Sequence, residues 1–371
     1  MSDRKISGVQ LIGIGVCNLM GTILISAYIS SVLEHEAWLA GVFGFAASLP
    51  ELFIYCALTK KYPGMGLFQI NEAVFGAVAG KIMSALYVLF FFTLCAQGVM
   101  EATNFLLFLI FPDASRLLIA ALLVACCVYG AKKGILPAAR VSTIFLLIMC
   151  VVMLAYVVLS LVDARFDRLL PLFSHKPADY LRATHIAAAF PFGEMVLLMT
   201  LVPDLDKKVN VKRTYFSVAG AAAFIMVLIH VREITVLGSM SAFSTLPTYE
   251  AARLVHIPGV LTRIESLFAL ALIMLNLFKT IVVFYILANG IKQIVRVPRR
   301  GYLTALGVLL TACAVTFFAS PARNLTLGVN YAPYVWSFFT FALPLITLLA
   351  AVAKAVAARL HSRTEIKKMT Q

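Results

Sequence analysis

Charge is what this sequence is shortest of: Asp, Glu, Lys and Arg make up 13% of its 371 residues, against about 25% in a soluble globular chain. That scarcity excludes a water-facing globule and puts most of the chain in lipid. Acidic residues are the rarer kind, 17 against 31 Lys and Arg, for a formal charge of +14. The basic residues are spread over short loops and form no single face, which argues against a nucleic-acid partner and for a topology signal. The seven cysteines, Cys17, Cys56, Cys95, Cys126, Cys127, Cys150 and Cys313, all lie in apolar runs. None shows the spacing of a disulfide framework or a zinc site, so they read as small buried hydrophobes. The six histidines are scattered. His35-Glu36 lacks the second histidine of a helical zinc motif, since the position that would carry it is Leu39. No nucleotide-binding loop or serine-nucleophile motif is found, so an enzyme is not expected, nor any cofactor or metal.

What is there is hydrophobic: 62% of residues, with a mean hydropathy of +0.95. A helix needs about 20 apolar residues to cross a bilayer core of about 30 Å. Runs of that kind place helices near 8–31, 37–58, 81–111, 115–131, 138–162, 184–203, 214–237, 262–290, 302–320 and 332–353. The first run follows Arg4 and Lys5 as a signal peptide would, but it continues from Ile6 to about Val32 without a convincing cleavage site and is taken as a membrane helix. Ten spans leave no stretch for a separate soluble domain, so a single transmembrane domain over 1–371 is expected. An even count puts both termini on one side. With that side cytoplasmic, the basic residues near 60–61, 132–133, 207–213, 292–300 and 354–368 collect inside, as the positive-inside rule requires. Two outer segments exceed simple turns: Asp163 to Ala183, and Gly238 to Leu261 with Pro247, Pro258 and Gly259 as breakers. Each is read as a solvated loop holding a short interfacial helix, or else as a partner surface.

Many transporters repeat a five-helix unit in inverted topology, and the first helix of each unit is broken near the bilayer centre so that free backbone groups face the substrate. Helix 1 carries Gly13, Gly15, Asn18, Gly21 and Thr22 where an ordinary span is aliphatic; close packing through small residues is the competing explanation. Helix 6, five spans later, carries Phe190-Pro191-Phe192-Gly193-Glu194 at its middle. Proline removes a backbone hydrogen bond, glycine weakens the helix, and a carboxylate is costly in lipid. Helix 3 aligns Thr93, Gln97 and Glu101 at four-residue spacing. Helix 8 places Asn276, Lys279 and Thr280 deep in an aliphatic run. Gln97 serves ligand contact or an interhelical hydrogen bond, and Glu101 either joins the site or is hydrated near the outer interface. Glu51, after Pro50 in helix 2, stays unassigned between an ion pair and a pathway role. Lys279, the one lysine deep in a span, either points inward against helix 1 as an internal cation or snorkels to the inner interface.

Short segments in a fixed order carry a family resemblance over nearly the whole chain. They are Ile6-Ser-Gly-Val-Gln10, Glu36-Ala-Trp38-Leu39, Lys61-Tyr-Pro63-Gly64 and Glu72-Ala-Val-Phe-Gly76 with Gly80. Further along come Lys133-Gly134-Ile-Leu136-Pro-Ala-Ala-Arg140, Arg168-Leu-Leu-Pro171, Phe190 through Glu194 to Pro203, and Arg263-Ile-Glu265. In these the chain resembles the B subunit of bacterial spore germinant receptors, a branch of the amino-acid/polyamine/organocation permease superfamily. The family usually has an acidic residue where this chain has Leu136, so no role of that carboxylate transfers.

The resemblance implies an all-α, LeuT-like five-plus-five inverted repeat with broken helices 1 and 6. The first repeat spans about 6–162 and the second about 184–353, followed by a basic cytoplasmic tail, 354–371. It implies a place in the inner spore membrane beside an A-type membrane subunit and a C-type lipoprotein, where the chain senses a small nutrient, typically an amino acid, and triggers germination. A proton-coupled amino-acid permease is the alternative. The superfamily pocket maps onto Asn18 to Thr22 and Phe192 to Glu194. Ligand-binding residues are therefore expected among Asn18, Gly21, Thr22, Gln97, Phe192, Gly193, Glu194, Asn276 and Thr280, with Lys279 as the internal cation.

Overall fold

A computed structural model describes residues 5–162, 164–254, 264–298 and 301–369, with backbone alone at 264 and 359–369. Arg4, Asp163, Pro258, Gly259, Leu261, Arg263 of the Arg263-Ile-Glu265 motif, Arg299 and Arg300 lie outside the described residues, as do the side chains of the tail.

Helices dominate the described chain, and the one strand-like pairing among the described residues is a parallel bridge between Ile6 and Leu205. Helix α1 (Gly8–Met20) opens on a capping box in which Ser7 and Gln10 satisfy each other's backbone N–H. It stops at the Gly21 break, and α2 (Ile25–Leu33) resumes at a bend of 55°. Then come α3 (Trp38–Lys61) and α4 (Leu67–Leu109). Gly76, at φ +83°, turns α4 within its length, a conformation costly for a residue with a Cβ. The turn separates a short entry helix from the membrane-crossing part. The sequence reading began that span at Lys81 and missed the entry helix, because Gln69, Asn71 and Glu72 interrupt any apolar run there while Leu67, Phe68, Ile70 and Val74 bury one stripe.

Helices α5 (Arg116–Lys133) and α6 (Ile135–Ser160) follow. Next, α7 (Pro177–Ala187) passes into a π-helical turn, Ala188–Phe192, a 3-10 turn, Gly193–Met195, and the one-turn α8 (Val196–Met199). After α9 (Val211–Leu237) and the short α10 (Pro247–Arg253), α11 (Ile264–Val295) crosses the bundle. The remainder is α12 (Leu303–Phe317), α13 (Pro321–Asn330), α14 (Ala332–Ser337), a second π turn, Phe338–Ala342, and α15 (Leu343–Met369).

Six of the described helices are long and apolar enough to cross a membrane, and eight spans result if each of two sharply bent pairs, α1–α2 and α12–α13, counts as one. The two other expected crossings fall short for legible reasons. Helix α5 is 18 residues long with Arg116, Lys132 and Lys133 at its ends, and the α7–α8 crossing is split by its own interruption. Leu117, Leu118 and Leu122 of α5 and Ile144, Leu147, Val151 and Leu154 of α6 are exposed, an apolar face suited to lipid.

The segments expected to share a side do meet. At one end Ile6 pairs with Asp204 and Asp206, and Lys354 reaches the Ala73 carbonyl at 2.9 Å. At the other, His35 meets the Pro171 carbonyl at 2.9 Å, and the Arg165 N–H donates to Thr235 at 3.0 Å. Between the ends, α11 runs along α4, α3 along α9, and α1 is wrapped by α6, α9 and α11.

Candidate functional site

The break in the first span is where buried polar groups converge. Ending α1 at Met20 frees backbone groups that lipid cannot satisfy. Side chains from two other helices take them up. The Ile23 N–H donates to Glu101 Oε2 at 3.1 Å, and Asn276 Nδ2 donates to the Gly21 carbonyl at 2.9 Å. Gly21 is required by proximity: a Cβ there would sit 2.8 Å from Lys279 Cβ and 3.0 Å from the Leu275 carbonyl oxygen. Gly13 and Gly15, by contrast, serve close packing, against Ser142 and Val218.

Lys279 occupies the centre of this network. On α11 it lies three residues from Asn276 and so on the same face. Its Nζ is 2.7 Å from Glu194 Oε2, and it donates to Thr22 Oγ1 at 2.5 Å. Both ends of the ion pair are buried, Glu194 at 1% and Lys279 at 4% exposure. The lysine points inward, and the snorkelling alternative is not what the structure adopts. The Gly21 carbonyl at the helix 1 break is served by Asn276, while Lys279 takes the Thr22 hydroxyl and the Glu194 carboxylate.

Glu194 also accepts from Asn18 Nδ2 at 3.3 Å, and Glu101 accepts from Gln97 at 3.1 Å and Asn276 at 3.4 Å. One continuous network therefore contains two carboxyls and one ammonium. Asn18 Oδ1 and Asn276 Oδ1 are buried acceptors without a partner among the described residues.

Of the residues singled out in the sequence, Asn18, Gly21, Thr22, Glu194, Asn276 and Lys279 are brought together, with Gln97 beside them through Glu101. Three are not. Thr280 turns its hydroxyl back to the Asn276 carbonyl at 2.8 Å and packs under Gly98. Phe192 is buried against Phe45, ring centroids 6.1 Å apart. Gly193 faces the tenth crossing, where a Cβ would lie 2.8 Å from Thr340 Oγ1. The second interruption thus differs from the first: the chain changes from α to π to 3-10 hydrogen bonding around Pro191 without opening.

Glu101 is 5% exposed and belongs to the network, not to a hydrated interface. Glu51 is equally buried, with Oε2 unpartnered and no ion pair among the described residues. Sequence reasoning left two further clusters unread. Glu233 on α9 is fully buried and accepts from Ser26 and Thr248, and beside it the Arg232 guanidinium lies 3.9 Å from the Tyr156 ring centroid. The signal was available as a charged pair inside an apolar run. At the His35 end of the bundle, Glu36 accepts from Tyr180, from the Ser174 N–H at 3.0 Å and from His175 Nδ1 at 3.0 Å. Burial pushes the Glu36 carboxyl up, but the hydrogen bonds from Tyr180, Ser174 and His175 outweigh it and hold the group below its usual range.

A broken first crossing, an interrupted sixth and a buried lysine between them define a multi-pass helical membrane protein of permease architecture. More particularly, the chain belongs to the spore germination protein family, which it matches over residues 5–323. It is 25% identical to spore germination protein KB of Bacillus subtilis (strain 168), over 99% of this chain and all of that one. With putative spore germination protein YfkT of the same organism it shares 21% identity over 87% of this chain and 89% of the other.

Among solved structures it is similar to MhsT in complex with L-phenylalanine, with a TM-score of 0.68, 17% identity and coverage of 93% and 98% of the two chains. It is also similar to MHP1, a nucleobase-cation-symport-1 family transporter, in a closed conformation with bromovinylhydantoin bound, with a TM-score of 0.62, 12% identity and coverage of 99% and 94%. These likenesses establish the LeuT-type transporter fold.

Proposed function

We propose that this chain is the nutrient-binding subunit of a spore germinant receptor, that its ligand is an amino acid, and that binding triggers germination. The observation that carries the reading is the charge make-up of the buried network. With both carboxyls ionised, Glu194 and Glu101 outnumber Lys279 by one, and an uncompensated buried charge is expensive. The ammonium of an amino acid supplies the missing charge and donates to Asn18 Oδ1 and Asn276 Oδ1. In this reading Lys279 takes over the part of the coupling cation of an ion-driven permease, and its contacts with Thr22 and Glu194 support that by keeping the eighth crossing on the broken first one.

A MhsT complex with an amino acid supports the ligand class, and the spore germination family supports the biological setting. In this reading the repeats span about 6–162 and 184–353, the protein lies in the inner spore membrane with both termini cytoplasmic, and an A-type membrane subunit and a C-type lipoprotein assemble with it. Ligand binding shifts a balance between two helix arrangements that the partners read. A proton balances the same network, which favours a proton-coupled amino-acid permease as the second reading.

Thermal stabilisation of the purified chain against amino acids, sugars and nucleosides tests the proposal, because a ligand of the native state raises its stability. Stabilisation by an amino acid without uptake into proteoliposomes supports the receptor. Uptake of labelled amino acid by the chain alone, or repeated recovery of the chain from spore membranes without partner subunits, supports the permease. No stabilisation by any amino acid overturns the ligand class.

A further inference from the structure

Beside the network, and sharing Thr22 with it, lies a cavity of about 500 Å³ between α1, α6, α9 and α11. Its walls are aliphatic and aromatic, among them Met149, Met153, Ile225, Phe268 and Leu272. Leu154 and Phe224 also line it and are 66% and 70% exposed. The cavity therefore has its mouth between α6 and α9, on the outward apolar surface.

The few polar side chains in its wall are almost all committed. Thr22 accepts from Lys279, while Ser26 and Thr248 both donate to Glu233. Cys17 Sγ lies 3.8 Å from the Ser142 carbonyl oxygen. Apart from the thiol of Cys150 at the exposed side, His230 is the exception. It is 1% exposed and lines the cavity, and its Nδ1 lies 2.8 Å from the Met226 carbonyl oxygen. A carbonyl only accepts, so in the neutral ring the proton is on Nδ1 and Nε2 is an acceptor. That Nε2 is buried and has no partner among the described residues.

We infer that this cavity is a binding site for a neutral apolar molecule carrying one hydroxyl, an aliphatic alcohol that enters from the bilayer and donates to His230 Nε2. The size and the lining are those of a small-molecule pocket with one orienting polar group. A zwitterionic nutrient does not fit, because the wall offers no unpaired charged side chain to either of its ends. With the ring neutral a fatty acid does not fit either, since its carboxylate would meet an acceptor without a proton to share. Leu19, Met20 and Ile23 form part of the wall, so an occupant bears directly on the bend of the first crossing.

The test is photolabelling of the purified full chain in nanodiscs with a diazirine-bearing octanol, followed by peptide mapping. Labelling is expected in the peptides covering 146–154 and 221–230, with competition by n-decanol and none by decanoate. Replacing the acceptor with His230→Leu should lower labelling at these peptides roughly three- to tenfold, the worth of one hydrogen bond. It should leave labelling of the exposed Leu117, Leu118 and Leu122 face unchanged. Ile225→Trp, which fills the cavity, should abolish the specific label. Should that variant fail to fold, decanol competition on the wild type and the His230→Leu comparison decide. Labelling of the cavity peptides no stronger than that of the α5 face, insensitive to decanol, is ordinary partition into annular lipid and overturns the proposal. Specific labelling unchanged in His230→Leu overturns the hydroxyl chemistry and with it the ligand class.

Discussion

Lys279 Nζ lies 2.7 Å from Glu194 Oε2, with side-chain exposures of 5% and 1%, so one buried ion pair ties the eighth crossing to the interrupted sixth. Thr22, on the break of the first crossing, is the third member. Three crossings thus share one ammonium.

Breaking the pair from one side should cost far more than removing it whole. Lys279→Met keeps the alkyl stem and leaves Glu194 buried without its cation, and Glu194→Gln strands the lysine. Each should destabilise the protein by about 3–5 kcal/mol and reduce its accumulation in membranes. The double variant should recover much of the loss, and Lys279→Arg should recover part of it. Midpoints of thermal unfolding in detergent read this directly. Single variants as stable as wild type would show that the pair holds nothing together.

Glu101→Gln separates folding from ligand binding. The amide oxygen still accepts the Ile23 N–H, so the break keeps its backbone partner, but the network loses a negative charge. Amino-acid stabilisation of this variant should require at least about tenfold more ligand, the equivalent of roughly 1.4 kcal/mol, at near-normal unfolding temperature. An unchanged ligand response would mean that the ammonium is not received beside Glu101.

The broken first crossing was legible because glycine and asparagine are conspicuous in an aliphatic run, and the polar stripe of α11 was legible because three- and four-residue spacing puts side chains on one face. Which members of a stripe reach the site was not legible. Thr280 shares the face of Asn276, yet a threonine within a helix can satisfy its hydroxyl on its own backbone. The partnership of Lys279 with Glu194 joins residues 85 apart, and packing alone decides it. Phe192 and Gly193 sit next to Glu194 in sequence but point to other helices, since successive residues face different sides of any helical turn. The Glu36 cluster was unreadable because its partners are remote in sequence: Ser174 and His175 arrive from the loop before α7 and Tyr180 from α7 itself, more than a hundred residues on.

Gly193 is held by its fit against Thr340. A methyl group at Gly193 meets three Thr340 side-chain atoms at 2.8 to 3.0 Å, so Gly193→Ala should cost about 1–3 kcal/mol by overpacking. Thr340 Oγ1 lies beside the Glu51 carboxyl but makes no hydrogen bond of ordinary geometry among the described residues, so Thr340→Ala should cost little and, combined with Gly193→Ala, should recover most of the lost stability. Gly193→Leu is too large for that relief and should abolish ligand stabilisation. A Gly193→Ala protein as stable as wild type would put the two crossings further apart than 3 Å contacts allow. Failure of the Thr340→Ala rescue would place the strain elsewhere.

Glu36 offers the clearest pH prediction, because it lies outside the membrane-spanning segments. Its carboxylate pins the segment leading into α7 through Ser174, His175 and Tyr180, and those hydrogen bonds depress its folded-state pKa. A group depressed in the folded state adds stability above its unfolded value, about 4.3 for a glutamate, and that contribution disappears as pH falls through the lower folded value. The segment around 171–180 should therefore be well protected from backbone hydrogen exchange near neutral pH and lose protection only once the pH falls below the ordinary glutamate range. Glu36→Gln should show the weaker protection throughout and little pH dependence of its own. Protection factors that stay constant into acid, or a Glu36→Gln profile identical to wild type, would show that this carboxylate does not fasten the two segments.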